Sequence, residues 1–214
     1  IYNFSSWARA TLMPIAVLSA CRPVAPLDLG CRLDELFPEG REIFDYDLPK
    51  KAGLLSWERF FLMTDKIIHH LQSAGLIPRR EKTIRKVIDW IIDHQDADGV
   101  WGGIQPPWIY SLMALHSGGY DQSNPVVEKG LNALEDPRWV YERGGGTYVH
   151  ASVSPVWDTV LTLLAIQDCE KDMEHAAAVE RALDWVLNQE VRTAGDWAQN
   201  MPDIAPGGWA FEYE

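Results

Sequence analysis

The chain has 214 residues, ten of them tryptophan, and carries 31 acidic against 19 basic side chains, for a formal charge of −12. That length can bury a core as one domain, and so acidic a balance argues against a nucleic-acid partner, which requires a basic face. Three widely spaced cysteines, Cys21, Cys31 and Cys169, make neither a disulfide framework nor a zinc cluster and fit a reducing compartment.

Apolar periodicity predicts a chain of helices. Residues 4 to 21 read as a helix with Trp7, Leu12, Ile15, Ala16 and Leu18 apolar, bent or broken near Pro14. Residues 22 to 53, with Pro23, Pro26, Pro38 and Pro49 among scattered charges, read as a long irregular connection. A helix is predicted over 54–74, from Leu54-Leu55-Ser56-Trp57 through His70-Leu71. Pro78 and the charged Arg79-Arg80-Glu81-Lys82 separate it from the next, where Ile84, Val87, Ile88, Ile91 and Ile92 share one face up to about His94. Pro107 has no N–H and a preset φ, so it suits the opening of a helix over Trp108 to His116. Asn124-Pro125, an N-cap before a first-turn proline, starts a helix to about Leu134, and Ser154-Pro155 repeats that signal for a helix to about Cys169. Ala176 to Gln189 is the last clear helix, and 190–214 reads as loop ending in a Gly-rich turn. No segment alternates convincingly as a strand. No secretory signal pattern opens the chain, and no run reaches the roughly 18 apolar residues of a spanning helix. Ile1 is not an initiator Met and Glu214 ends an aromatic string, so the expectation is an internal piece of a longer chain.

One unit recurs. The helix ending near His94 is followed by Gln95, Gly99 and Trp101, then the turn Gly102-Gly103 and the next helix. A Gln amide both donates and accepts, so it suits the loose backbone groups at helix ends while an indole packs over it. Arg181-Ala182, Trp185, Gln189, Gly195 and Trp197 repeat the pattern, with Gln189 lying 94 positions after Gln95, two steps of about 47 residues. A faded middle copy runs from Lys129-Gly130-Leu131 to Gly144-Gly145-Gly146-Thr147-Tyr148 and has lost its Gln. Paired helices in tandem close into an α/α barrel or a curved solenoid.

This pattern resembles the QW repeat of the triterpene cyclases. Gly102-Gly103-Ile104-Gln105-Pro106-Pro107-Trp108, Ser154-Pro155-Val156-Trp157-Asp158-Thr159 and Pro206-Gly207-Gly208-Trp209-Ala210-Phe211 are similar to strings of the squalene–hopene cyclases in particular, from Phe4 to Tyr213. The resemblance implies an all-α fold, an α/α barrel built from QW-type two-helix repeats. Residues 1–214 would be a single, inserted barrel domain of a longer two-barrel chain. It implies cyclisation of squalene or a related polyprene through carbocations. Such chemistry needs a protonated carboxylic acid, a dry cavity, and aromatic faces that stabilise cations without capturing them. No cofactor is implied, since protonation supplies the drive.

The family's acid lies in an Asp-x-Asp-Asp string shortly after the Gly-Gly-aromatic-Ala-Phe turn. Here the residues after Phe211 are only Glu212-Tyr213-Glu214, and Asp45-Tyr46-Asp47-Leu48 and Asp96-Ala97-Asp98-Gly99 lack the last Asp, so this chain by itself is predicted inactive. The resemblance makes Trp157 and Phe211 cation-stabilising aromatics, where the plain alternatives are a core indole and a loop anchor. Asp158 would be a hydrogen-bond partner of the acid region, or simply an acid favoured by a helix's first turn. Trp7 would line the far end of the cavity, and Phe4, one helical turn earlier on the same face, a constriction of the substrate channel. Gln105 and Tyr110 would hold the water that takes the final proton, with Ile104 as a steric wall; the alternative is repeat packing. Gln95, Trp101, Gln189 and Trp197 read as structural, because they repeat.

Leu54, Leu55, Trp57, Phe60, Phe61, Leu62, Met63, Ile67, Ile68 and Leu71 give the 54–74 helix a broad apolar face. That face either packs into the domain or, as the resemblance implies, docks monotopically on the cytoplasmic face of a bacterial-type inner membrane. The remaining expected partners are the rest of the same chain and, as a candidate assembly, a second copy in a homodimer. The six histidines include no i, i+4 pair with a carboxylate, so no metal is expected. A prenyltransferase subunit would need an Asp-x-Cys and a His on zinc, and no such set is present. A barrel glycosidase would need two carboxylates facing a polar cleft. A non-catalytic repeat domain that binds lipid or a partner protein is the remaining alternative.

Overall fold

The structure, a computed structural model, describes residues 1–26, 33–44, 56–169 and 175–211. These form seven α-helices: α1 Ser6–Cys21, α2 Trp57–Ser73, α3 Arg80–Asp93, α4 Gln105–Ser117, α5 Pro125–Asn132, α6 Pro155–Cys169 and α7 Ala176–Asn188. The chain is thus all-α in class, as predicted, with a short hairpin of β1 Val140–Arg143 and β2 Gly146–Val149. It divides into two compact units, one of Arg22–Glu81 and one of Ile1–Cys21 with Lys82–Glu214.

Helix starts follow their caps. The Asn124 side chain accepts from the Val126 N–H at 3.0 Å, and the Ser56 hydroxyl accepts from the Arg59 N–H at 3.2 Å. Each satisfies a first-turn donor that has no partner within its helix. α4 begins at Gln105, two residues before the predicted Pro107, because both prolines fit a first turn. Pro14 sits inside α1 without breaking it. Its ring is buried with Ala10 and Val17, and α1 packs along α4, so tertiary packing overrides the lost backbone bond. α1 starts at Ser6, which leaves Phe4 in the turn before it. Helical spacing therefore does not place Phe4 on the face of Trp7.

The larger unit's core gathers Ile88 and Ile91 of α3, Trp108, Ala114 and Leu115 of α4, Val127 of α5, and Trp101 and Trp139 from the turns between them. The Trp108 and Trp139 rings meet at 5.1 Å, and the Trp108 indole donates to the Gly130 carbonyl at 2.8 Å. Both buried polar edges are thereby satisfied, since the Trp139 indole reaches Asp98 Oδ2 at 3.3 Å.

The hairpin corrects the reading that no strand was present. Val140 pairs with Val149 and Arg143 with Gly146 across a two-residue turn, Gly144-Gly145, both at positive φ (60° and 79°). Two consecutive residues with φ > 0 suit a tight hairpin turn and are nearly free of cost only for glycine. The Gly-rich string taken for a faded repeat is that turn, and Tyr141 and Tyr148 stack across it at 5.5 Å.

In the smaller unit α2 carries no buried residue. Trp57 is 76% exposed and Phe61 63%, with Phe60, Met63, Ile67, Ile68 and Leu71 also open, so its apolar face does not pack into a core among the described residues. Leu54 and Leu55 lie outside the described residues, as do Cys31, the Asp45-Tyr46-Asp47 string and the last three residues.

Candidate functional site

The turn after α3 is closed by its own side chains. Gln95 Nε2 donates to the Gly99 and Val126 carbonyls, both at 2.8 Å, which ties the turn to α5. The fully buried Trp101 indole donates to the Ile91 carbonyl at 2.7 Å, in the last turn of α3, where only a long 3.4 Å bond from His94 N otherwise arrives. Gly99 has φ +95°, and a Cβ there would stand 2.6 Å from the Lys129 carbonyl oxygen.

From this turn a continuous path joins most of the predicted site residues. Gly102, at φ +67°, approaches α1 so closely that a Cβ would lie 3.3 Å from Trp7 Cα and from Ala10 Cβ. The next residues pair with the strand-like segment before α6: Val153 N donates to Gly103 O and Gln105 N to Ala151 O, both at 3.0 Å, with Ile104 bridged to Ser152. Gln105 Nε2 adds a 2.9 Å bond to the His150 carbonyl. The Gln105 amide is thus fixed by backbone and side chain, with its Oε1 as the remaining end. Tyr110, half-buried, is five residues further along α4. Beyond Val153 the chain turns through Ser154 into α6, whose third and fourth residues are Trp157 and Asp158, both exposed.

Phe211 reaches Trp157 from the other end of the sequence, edge to face, with ring centroids 5.5 Å apart and planes at 74°. Its approach is set by the end of α7. Val191 N donates to Gly208 O at 2.8 Å, Glu190 bridges to Trp209, and the Trp209 indole donates to the Val186 carbonyl at 2.6 Å. In the first repeat the equivalent bond comes from the repeat's own Trp101, whereas here the indole is Trp209's rather than Trp197's. Trp157 is 58% exposed, Trp7 50% and Phe4 53%, three large apolar surfaces left open.

Three residues that sequence reasoning passed over hold the start of α1. Arg9, 8% exposed, donates from Nη1 to the Phe4 carbonyl at 2.6 Å and pairs through Nη2 with Asp196 Oδ2 at 3.3 Å. His94 Nε2 meets the same oxygen at 3.1 Å, its Nδ1 faces the Trp90 carbonyl at 2.8 Å, and its ring stacks on Trp90 at 3.9 Å. Both imidazole nitrogens face oxygens, so the ring is held at both edges. The available signal was Asp196 inside the second repeat's Gly-Asp-Trp string.

A concavity beside α5, lined by Asp98, Glu128, Lys129 and Asp136, contains none of the predicted site residues. Two of its three carboxylates are already engaged: Asp98 by the Trp139 indole and Val100 N, Asp136 by Arg138, whose hydrogen bonds hold the Asp136 carboxyl below the usual range. Among the described residues no helix is long and apolar enough to cross a membrane.

The family model for the squalene–hopene cyclase N-terminal domain matches residues 1–143, and that for the C-terminal domain matches 153–214, so the hairpin lies where one gives way to the other. The squalene–hopene cyclase of Alicyclobacillus acidocaldarius is 35% identical over all of this chain and 33% of its own length. The squalene hopane cyclase of Aspergillus fumigatus is 33% identical over all of this chain and 30% of its own, and the squalene–hopene cyclase of Zymomonas mobilis 30% identical over all of it and 32% of its own. The chain spans about a third of the length of these curated relatives. With two adjoining family models matched in order along one chain, the protein belongs to the squalene–hopene cyclase family.

Proposed function

We propose that this chain is one barrel segment of a longer, two-barrel cyclase that converts squalene to pentacyclic triterpenes. A carboxylic acid protonates a terminal alkene. The π electrons of successive double bonds close rings and pass the cation along, and a water takes the final proton to leave an alkene or adds and gives up a proton to leave an alcohol. The observation that carries this reading is the Trp157–Phe211 pair. Two electron-rich rings meet edge to face, and Trp157 keeps an open apolar surface. A cation over such a ring is stabilised by about 2 kcal/mol or more once water is excluded, without forming a bond. Phe211 would serve an early cyclic cation, and Asp158 would hydrogen-bond the region of the acid. Gln105, held through Nε2, would turn Oε1 to the deprotonating water together with Tyr110, while Ile104 limits the space beside them. Trp7 would line the far end of the cavity and Phe4 a constriction of the substrate channel. Gln95, Trp101, Gln189 and Trp197 would serve the repeats rather than the chemistry.

The relatives named as squalene–hopene cyclases support squalene as substrate. The test is turnover. The full-length protein, expressed with the regions flanking this chain, is expected to convert squalene to a pentacyclic product, and residues 1–214 alone to give none. Turnover by this chain alone, or squalene binding without turnover by the full-length protein, would refute the assignment.

The open face of α2 supports monotopic docking on a membrane; the family resemblance adds the cytoplasmic side, and a homodimer is the candidate assembly. Replacing Phe60 and Phe61 together by Glu is expected to abolish co-sedimentation with phospholipid vesicles and leave the melting temperature within a few degrees. Retained vesicle binding would exclude α2 as the anchor.

A further inference from the structure

We propose that Asp196 is a positioning residue for the Phe4–Trp7 end of the cavity. It touches neither residue and acts through Arg9. Asp196 opens the 3-10 turn Asp196–Gln199, and its Oδ2 receives both the Arg9 guanidinium and His94 Nε2. Arg9 spends its other terminal nitrogen on the Phe4 carbonyl, so one nearly buried guanidinium bridges the Asp196 carboxylate and the turn that presents Phe4.

A second link runs parallel: Asn200 Nδ2 donates to Asn3 Oδ1 at 2.6 Å, from the end of the same 3-10 turn to the residue before Phe4. On its other side α1 is pressed against the Gly102 turn at Trp7. Trp7 therefore has a fixed backbone on one face, and Phe4, outside the helix, is held by its N–H on the Ile1 carbonyl and by what Arg9 and Asn3 grip. A planar fork reaches the carboxylate with one nitrogen and the carbonyl with another, whereas an ammonium's three donors all leave from a single nitrogen. The carboxylate in turn is kept in place by the His94 ring, which Trp90 holds by stacking and through its carbonyl.

The inference rests on reading Phe4 and Trp7 as cavity residues, and its test separates the two. In the full-length enzyme, Asp196→Asn is expected to raise KM for squalene about tenfold and shift the product ratio, with kcat within about twofold. A loss of packing alone would lower the melting temperature and leave KM and product ratio at wild-type values; that result overturns the proposal. If Asp196→Asn yields no soluble enzyme, Arg9→Lys decides by the same criteria, since it keeps the charge facing Asp196 and gives up the bridge to Phe4. Phe4→Ala, measured alongside, is expected to move KM the same way. If it does so while Asp196→Asn and Arg9→Lys do not, the positioning role fails alone. If none of the three moves KM or products, the cavity reading of Phe4 fails and takes the inference with it.

Discussion

After α3, Gln95 ties its own turn to α5 and a fully buried Trp101 closes on the carbonyl of Ile91. After α7, the carbonyl two residues before the helix end, that of Val186, is met by Trp209, which is 47% exposed and comes from a string that follows the repeat. The two stretches share a written pattern, but Gly195 stands six positions after Gln189 where Gly99 stands four after Gln95. The longer turn carries its Gly-Asp-Trp outward. Asp196 goes to Arg9 and His94, and the last-turn carbonyl is satisfied from elsewhere. What persists between the copies is the requirement for a donor at the helix end, not the residue that supplies it. The first turn is closed by its own side chains and meets α1 through the Gly102 backbone. The second sends side chains to α1 and is followed by the string that sets Phe211 against Trp157.

The sharpest way to break this contrast is to delete the two indoles in turn. Trp101→Ala removes a fully buried ring with its hydrogen bond and opens a cavity among α3, α4 and α5, at a cost of about 3–5 kcal/mol. Trp209→Ala removes a half-exposed ring and one hydrogen bond, at about 1–2 kcal/mol. Denaturant titration of the full-length protein should rank them in that order. Trp209→Ala should in addition alter the product ratio, because Phe211 is two residues away, whereas Trp101→Ala should change stability alone. Equal destabilisation by both would mean that the second turn is as much scaffold as the first.

The helices were legible because their signals are local. Asn124-Pro125 and Ser154-Pro155 mark starts that need no tertiary knowledge, and the isoleucines of α3 fall at helical spacing. The hairpin was missed because its glycines were assigned to a fading repeat, although Gly-Gly between Val140-Tyr141 and Thr147-Tyr148-Val149 is itself a hairpin signal. Phe4 was placed by extending helical spacing two residues past the true start of α1. Among the predicted site residues, Trp157 and Phe211 are in contact, and Trp7, Ile104, Gln105 and Trp157 lie along one path of close packing, backbone hydrogen bonds and chain continuity. Asp196 stands in a visible Gly-Asp-Trp string, but its partners could not be read from spacing: the Arg9–Asp196–His94 cluster draws on three elements, His94 and Asp196 lie 102 positions apart, and no spacing rule links a buried arginine to a carboxylate so far along the chain.

The same contrast predicts a smaller, more local effect at two glycines. Gly99 and Gly208 both hold positive φ, +95° and +111°, so alanine is strained at either by about 1–2 kcal/mol. They differ in surroundings. A Cβ at Gly99 would stand 2.6 Å from the Lys129 carbonyl oxygen, whereas at Gly208 nothing lies within 4 Å. The neighbour at Gly99 is backbone, in α5, so it cannot swing aside as a long side chain would. Relief must come from separating the first turn from α5, which also stretches the Gln95 bond to Val126. Gly99→Ala should therefore cost about 1–3 kcal/mol more than Gly208→Ala, read as a difference in denaturant midpoint at unchanged slope. If Gly208→Ala proves as costly as Gly99→Ala, the turn after α7 is confined by contacts as close as those of the first. The looseness that distinguishes the two turns would then be wrong.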